Sequence, residues 1–211
     1  MIISWFGHSC FRLEGKNLSI LIDPFSKDIG LRPPKIKDNV ILLSHGHYDH
    51  ANIEDAPAET KIIKGPGEYE IMGVCIRGIQ SFHDNSNGAD RGLNTMYIVD
   101  DDDVKICHMG DFGQSKLEEH QLEEIGDVDV LMIPVGGTYT IDGKQASEMI
   151  SQIEPKIIIP MHYKLPDLKI DIAGPEKFLK EIGIKPEKVD RYKATKKTLP
   201  QEEMKLIMFT Q

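Results

Sequence analysis

The stretch S-H-G-H-Y-D-H, residues 44–50, directly follows the apolar run V-I-L-L of residues 40–43. Histidine occurs eight times in the chain, and three of these histidines lie here together with an aspartate. Imidazole and carboxylate groups are ligands suited to zinc and to neighbouring divalent metals. In an extended or tightly turning segment His45 and His47 point the same way, whereas the aspartate and the last histidine follow the turn. The stretch therefore predicts ligands for two adjacent metal ions at the end of a strand.

Three further metal-binding side chains lie at the ends of predicted strands. His83 ends the strand V-C-I-R-G-I-Q-S-F, Asp111 lies in the turn H-M-G-D-F-G, and His162 follows K-I-I-I-P-M. A sandwich of two sheets could bring these strand ends together along one edge. His108 is the alternative to His83. We favour His83, because His108 and Asp111 are three residues apart near one strand and would face opposite sides.

Length, composition and charge limit the kinds of protein that this chain can be. Its 211 residues, 40% hydrophobic and 28% charged, predict one globular domain over residues 1–211. The net charge of −9 disfavours a nucleic-acid partner, because clustered lysines and arginines hold phosphate backbones. No apolar run approaches the roughly 18–20 residues of a membrane span. The opening M-I-I-S-W-F-G-H-S-C-F lacks a secretion signal, so we expect a cytoplasmic protein with a small-molecule substrate. Formation of a homo-oligomer stays open.

Strands dominate the first half of the predicted structure, and helices are interleaved with strands in the second half. Apolar and β-branched runs predict strands at residues 2–6, 10–13, 18–22, 40–44, 61–64, 74–79, 95–99, 104–109, 127–135, 156–161 and 204–209. End signals predict three helices: the capping pairs Ser115–Glu118 and Asp142–Gln145, and Pro175 at the first helical position with Gly183 past the end of residues 176–182. Two packed sheets with helices outside bury these strand faces better than one sheet does. The predicted fold class is therefore α+β, a four-layer αββα sandwich.

The order of these motifs resembles a known superfamily. H-x-H-x-D-H, followed by a lone histidine, a G-D turn and a late histidine after a buried strand, resembles the metallo-β-lactamase-fold superfamily of metal-dependent hydrolases. The opening W-F-G-H-S-C-F-R-L-E-G and the following I-L-I-D-P-F are similar to one branch of it. That branch includes L-ascorbate-6-phosphate lactonase-like and N-acylphosphatidylethanolamine phospholipase D-like proteins. The resemblance extends over about residues 1–165 and is specific for the fold rather than for a substrate.

Carried onto this sequence, the resemblance implies a centre of two divalent metal ions, with zinc expected and manganese as the alternative. Histidine at position 47 disfavours the redox diiron branch of the superfamily, in which glutamate stands at this place. The ligands that it implies are His45, His47 and His83 for the first ion, Asp49, His50 and His162 for the second ion, and Asp111 as a bridge between them.

Other residues are expected around the metal ions. Asp23 in L-I-D-P-F is a turn residue, a carboxylate that orients a ligand histidine, or both. His8 in the turn G-H-S is either a turn residue or part of the active-site rim. His108 is expected to support a ligand or to pack near the site.

The chemistry that follows is hydrolysis. The sequence contains no G-x-S-x-G nucleophile motif, so the simplest nucleophile is a hydroxide that bridges the two metals. A bound metal lowers the pKa of water from about 15.7 towards about 7. Asp49 or Asp111 would hold this hydroxide, which makes both of them candidate catalytic residues. Tyr139 or Tyr163 would donate to the developing oxyanion.

The predicted substrate is a small, anionic ester, lactone or phosphodiester. Arg91, in the polar loop after His83, would attract its negative charge to a net positive metal centre. Two alternatives from other classes stay open at this point. One is a nuclease of the same fold, and the other is a non-catalytic metal-binding or partner-binding protein.

Overall fold

Two β-sheets form the framework of the computed structural model, which describes residues 1–101 and 104–210. The strands are β1 (Ile2–Trp5), β2 (Phe11–Glu14), β3 (Ser19–Ile22), β4 (Val40–Leu43), β5 (Lys61–Lys64), β6 (Gly67–Ile71), β7 (Val74–Phe82), β8 (Leu93–Asp101), β9 (Val104–His108), β10 (Val130–Pro134), β11 (Ile157–Met161), β12 (Glu187–Val189), β13 (Tyr192–Lys193) and β14 (Lys205–Phe209). The helices are α1 (Glu119–Ile125), α2 (Gly143–Ile153), α3 (Glu176–Ile182) and a 3₁₀ helix at Lys27–Ile29. The smaller sheet has the order β13-β1-β2-β3-β4-β5, and the larger sheet has the order β12-β14-β11-β10-β9-β8-β7-β6.

Strand β4 is apolar at every position because both of its faces are buried. Val40 and Leu42 lie in the core between the two sheets. Ile41 and Leu43 point to the opposite face and belong to a second core outside the sheets, together with Phe25. Its pairing with β3 and β5 is parallel on both sides, and such central parallel strands characteristically form unbroken apolar runs.

The outer layers differ between the two sheets. Helix α1 contacts β7, α2 contacts β10, and α3 packs against α2, so the helices cover the larger sheet. The connection from β3 to β4 contributes Phe25, Ile29 and Ile36 to the core that includes Ile41 of the smaller sheet. The predicted α+β fold with two packed sheets is confirmed. The layer on the smaller sheet, however, consists of this irregular connection and its 3₁₀ helix.

The predicted start of α2 is correct, whereas that of α1 is wrong. Asp142 caps α2 and accepts hydrogen bonds from the backbone N–H groups of Lys144 and Gln145. In α1 the N-cap is Glu118 rather than Ser115. Helix α3 has its predicted range, with Pro175 at the N-cap, one position before the expected one, and Gly183 at the C-cap with a φ of 67°.

Three strands have no clear pattern in the sequence. These are β6, β12 and β13, and all three are edge strands. β12 and β13 have only three and two residues, and β6 alternates only between half-buried and exposed positions. Among the described residues, no helix has the length and apolar character needed to cross a membrane.

Candidate metal centre

The candidate site lies at one edge of the sandwich, where several strands end. In the larger sheet β7, β9 and β11 run in the same direction, and in the smaller sheet β3 and β4 are parallel. Equivalent ends of parallel strands meet at one edge, so residues that are distant in sequence become neighbours. The residues that follow these strands are Asp23, His45, His47, Asp49, His50, His83, Asp111 and His162.

The first histidine group consists of His45, His47 and His83, whose ligand nitrogens lie within 4.8 Å of one another. The Nδ1 atom of His45 is 2.9 Å from the Ser44 hydroxyl. Its buried Nε2 atom has no hydrogen-bond partner in the described part of the chain. A buried nitrogen without a partner is costly. The group therefore fits a divalent cation that would satisfy all three rings.

The second group consists of Asp49, His50 and His162, and His8 lies directly beside it. The Nε2 atom of His8 is 3.1 Å from the Nε2 atom of His50 and 3.2 Å from Oδ2 of Asp49. The ring nitrogens of His8, His50 and His162 also lie within 4.8 Å of one another. The side chain of His8 is fully buried. The expectation that it lines the rim of the site is therefore corrected, because it lies inside the cluster.

The carboxylate of Asp111 lies between the two groups. Its Oδ2 atom is 3.3 Å from the Nε2 atom of His83 in the first group. The same oxygen is 3.3 Å from the Nε2 atom of His50 and 3.1 Å from that of His162. Its Oδ1 atom is buried and has no hydrogen-bond partner among the described residues. One carboxylate within reach of both groups is the arrangement expected of a ligand that bridges two ions.

The electrostatics favour the ionised form of Asp111 and the neutral form of His45. Burial alone would raise the pKa of Asp111, but His162 and His50 hold it well below its usual range. Burial and the neighbouring His50 lower the pKa of His45 to about 3. Burial also disfavours the charged form of His50, but Asp111 and Asp23 raise its pKa well above the ordinary value. A divalent cation bound at Nε2 of His50 would require the neutral form of this ring.

Asp23 contacts both Ser44 and His50. Its carboxylate accepts hydrogen bonds from the backbone N–H of Ser44 at 2.7 Å and from the Ser44 hydroxyl at 2.6 Å. It also lies 2.9 Å from Nδ1 of His50. With Nδ1 donating to Asp23, Nε2 of His50 is directed into the site. This geometry suits both expected roles of Asp23, which stay predictions.

His108 has no ring nitrogen available for a metal. Its Nε2 atom is 2.9 Å from the carbonyl oxygen of Ser9, and the backbone N–H of Gly110 donates to its Nδ1 at 3.1 Å. Gly110 has a φ of 57°, and a Cβ there would lie 2.3 Å from the side-chain oxygen of Asn94. That oxygen accepts the backbone N–H of Asp111 at 3.0 Å. His108 and Asn94 therefore support the turn that carries Asp111.

Asp84, which the sequence pattern does not single out, organises the loop that follows His83. Its carboxylate is 3% exposed. It accepts four backbone N–H hydrogen bonds at 2.7–3.0 Å, from Ser86, Gly88, Asp90 and Arg91. Burial alone would raise the pKa of Asp84, but these four hydrogen bonds lower it to about 2. The loop is thereby closed around one carboxylate, which also holds the backbone of Arg91.

A cavity of about 700 Å³ opens over both groups. Arg91 lines it, with its guanidinium 5.5 Å from the ring centre of Tyr139. Lys169 and Asp171, which the sequence does not single out either, add charged groups to the lining.

Tyr163 lies outside this lining, 4% exposed and with its ring centre 5.3 Å from that of Trp5. The expectation that Tyr163 donates to the oxyanion is therefore corrected. Of the two tyrosines considered for this role, Tyr139 lines the cavity.

Comparisons with known proteins show the family to which this chain is related. A model of the β-lactamase superfamily domain matches residues 2–162. A UPF0173 metal-dependent hydrolase of Thermoplasma acidophilum is 33% identical in an alignment that covers 83% of this chain and 88% of the relative. A second one, from Pyrococcus horikoshii, is 33% identical in an alignment that covers 89% of this chain and 94% of that relative. A crystal structure from Thermotoga maritima, described as that of a Zn-dependent hydrolase of the metallo-β-lactamase superfamily, is 36% identical with a TM-score of 0.82. It covers 99% of this chain and 97% of that one.

The pH dependence of stability tests the role of Asp84. The pKa of about 2 lies below the ordinary 3.8, so the carboxylate stabilises the folded state fully above about pH 4. This contribution is lost as the pH falls through 2. We therefore expect Asp84→Asn to reduce the free energy of unfolding in urea more at about pH 7 than at about pH 3. Asp90→Asn, which removes an exposed carboxylate from the same loop, is the control. An Asp84→Asn effect equal at both pH values would contradict the assignment.

Proposed function

Because this chain belongs to the β-lactamase superfamily and, within it, to the UPF0173 metal-dependent hydrolases, we propose that it hydrolyses a small anionic substrate at a centre of two divalent metal ions. The observation that carries this proposal is the position of Asp111. Its Oδ2 atom is 3.3 Å from a ring nitrogen of the first histidine group and 3.1 Å from one of the second group. A single ion would leave one of these groups without a cation.

The ligands of the two ions come from the two groups. Zinc suits the imidazole-rich donors, and manganese is the alternative. Two divalent ions bound here would polarise the substrate and activate a water molecule at neutral pH. We assign His45, His47 and His83 to the first ion, Asp49, His50 and His162 to the second ion, and Asp111 to both.

Two side chains of the cavity would accept a proton and donate a hydrogen bond during the reaction. Burial opposes the ionised form of Asp49, but its hydrogen bond with His8 and the charge of His50 lower its pKa below the usual range. Asp49 also lines the cavity, so its ionised carboxylate is available to accept the proton of an attacking water. Tyr139 lines the same cavity, and its hydroxyl is our candidate donor to the oxygen under attack.

The charge of the cavity indicates an anionic substrate. Two divalent ions bring four positive charges, and Asp49 and Asp111 return two negative ones, so the centre is net positive. Arg91 and Lys169 add positive charge to the lining, against one further carboxylate, that of Asp171. A volume of about 700 Å³ suits a small molecule. A phosphorylated lactone or ester, or a phosphodiester, satisfies these conditions.

Metal content and substrate charge test the proposal together. We expect two ions per chain after saturation with zinc or manganese, measured by mass spectrometry of the metals. The loaded protein should hydrolyse at least one member of a panel of phosphorylated lactones, esters and phosphodiesters, and it should discriminate against its uncharged analogue. Arg91→Gln should raise KM for that substrate more than it changes kcat. Saturation at one ion would contradict the two-metal centre, and a preference for the neutral analogue would contradict the substrate class.

Turnover should depend on Asp111 more than on Tyr139. Asp111→Ala removes the carboxylate shared by both groups, so we expect it to lose one ion and nearly all activity. Tyr139→Phe removes only an oxyanion donor, so it should keep both ions and lose at most about 10²–10³ in kcat. Metal content is measured on each variant, and rates are taken at saturating metal. If Asp111→Ala retained both ions and near-normal turnover, the assignment of Asp111 as a bridge would be wrong.

A further inference from the structure

His8 lies in the turn between β1 and β2, and this turn packs on the end of β11. The carbonyl oxygen of His8 accepts the backbone N–H of His162 at 3.1 Å and the indole N–H of Trp5 at 3.1 Å. These bonds hold the turn against the strand that carries His162. As a result, the ring centres of His8 and His162 are 4.4 Å apart.

The conformation of His8 is unfavourable for a residue with only a turn role. Its side chain is 0% exposed, and its φ is 55°, in the left-handed region. This conformation is strained for a residue with a Cβ atom, and such residues cluster at functional sites. Burial of a polar ring adds a desolvation cost. A glycine or an exposed polar residue would form the turn without either cost, which points to a role for the imidazole.

The ring of His8 is directed at the second group. Its Nε2 atom is 3.1 Å from Nε2 of His50 and 3.2 Å from Oδ2 of Asp49. Because Nδ1 of His50 lies 2.9 Å from Asp23, the Nε2 atom of His50 is the one available at this point. Two ligands in neighbouring positions around one ion at about 2.1 Å lie roughly 3.0–3.4 Å apart. The distances from His8 to both neighbours fall in that interval.

We propose that His8 is a further ligand of the second metal position, where it joins Asp49, His50, His162 and the bridging Asp111. This inference rests on the proposed two-metal centre. The competing role is that of a positioning residue, in which the N–H of His8 donates to Asp49 and orients that carboxylate without contact to the ion. The two roles differ in which side chains can replace histidine.

Two variants separate the roles, with zinc binding measured by equilibrium dialysis on the full chain. His8→Gln keeps an N–H that can donate to Asp49, but an amide is a poor zinc ligand. His8→Ala removes both functions. Loss of an orienting partner typically costs about 10–100-fold in metal affinity, so loss of a ligand should cost more. We expect both variants to bind the second ion more than about 100-fold more weakly and the first ion as the wild type does. His120→Ala, which removes an exposed histidine of α1, should bind both ions normally.

The outcomes distinguish this inference from the proposed function. Second-ion affinity within about tenfold of the wild type in His8→Gln would overturn the ligand role. If the wild type takes up only one ion, the two-metal centre fails and the inference fails with it. If His8→Ala does not fold, a crystal structure of the zinc-loaded wild type decides. A distance of about 2.0–2.1 Å between Nε2 of His8 and the second ion supports the inference, and one beyond about 3 Å overturns it.

Discussion

The buried carboxylate of Asp111 requires positive charge, and the arrangement of the site follows from this requirement. An ionised carboxylate removed from water is stable only when it is paired or bound to a cation. Asp111 is 2% exposed, and its Oδ1 atom has no hydrogen-bond partner in the part of the chain that the structure describes. Imidazoles from three separate strand ends surround its other oxygen within 3.3 Å. Two divalent ions bound at the two groups would supply this positive charge.

The fold serves this centre by bringing strand ends together and by holding unfavourable backbone conformations in place. His8, Asp23 and His162 have φ values of 55°, 47° and 52°, and all three lie in or beside the cluster. Conformations of this kind persist when the surrounding structure fixes them. The two cores provide that support, since strand β4, which ends two residues before His45, is packed on both faces. The packing of the two cores thus supports the backbone conformations at the edge of the sandwich where the site lies.

The sequence identifies the central part of the site because its pattern is local. Three histidines and an aspartate after an apolar strand are evident without knowledge of the tertiary structure. His83, Asp111 and His162 can be listed from their positions at strand ends, but only the strand order brings them together. The burial of His8 could not be predicted from the sequence, because a histidine in a short turn can be either buried or exposed. The role of Asp84 could not be predicted from the sequence either, because its four backbone partners come together only when the whole loop is folded.

The helix starts reveal a similar limit of local patterns. Ser115–Glu118 has the residue types of a capping box, whereas Glu118–Gln121 has its spacing but places glutamate, which is not a favoured N-cap residue, at the first position. The sequence therefore favours the earlier start. In the structure the backbone N–H of Ser115 donates to the side chain of Asn85, in the loop after β7. Gln121 accepts the backbone N–H of Glu118 and donates to the carbonyl of Gln80. Helix α1 thus begins after Glu118 in a structure where tertiary contacts with the loop and with β7 hold the residues around its start.

Anomalous diffraction from crystals of the zinc-saturated protein tests the central claim most directly. Two anomalous peaks should lie about 3.5–4 Å apart. One should lie among His45, His47 and His83 and the other beside His50 and His162, with the Asp111 carboxylate about 2.0–2.2 Å from each. A single peak at full saturation, or two peaks without Asp111 between them, would contradict the account.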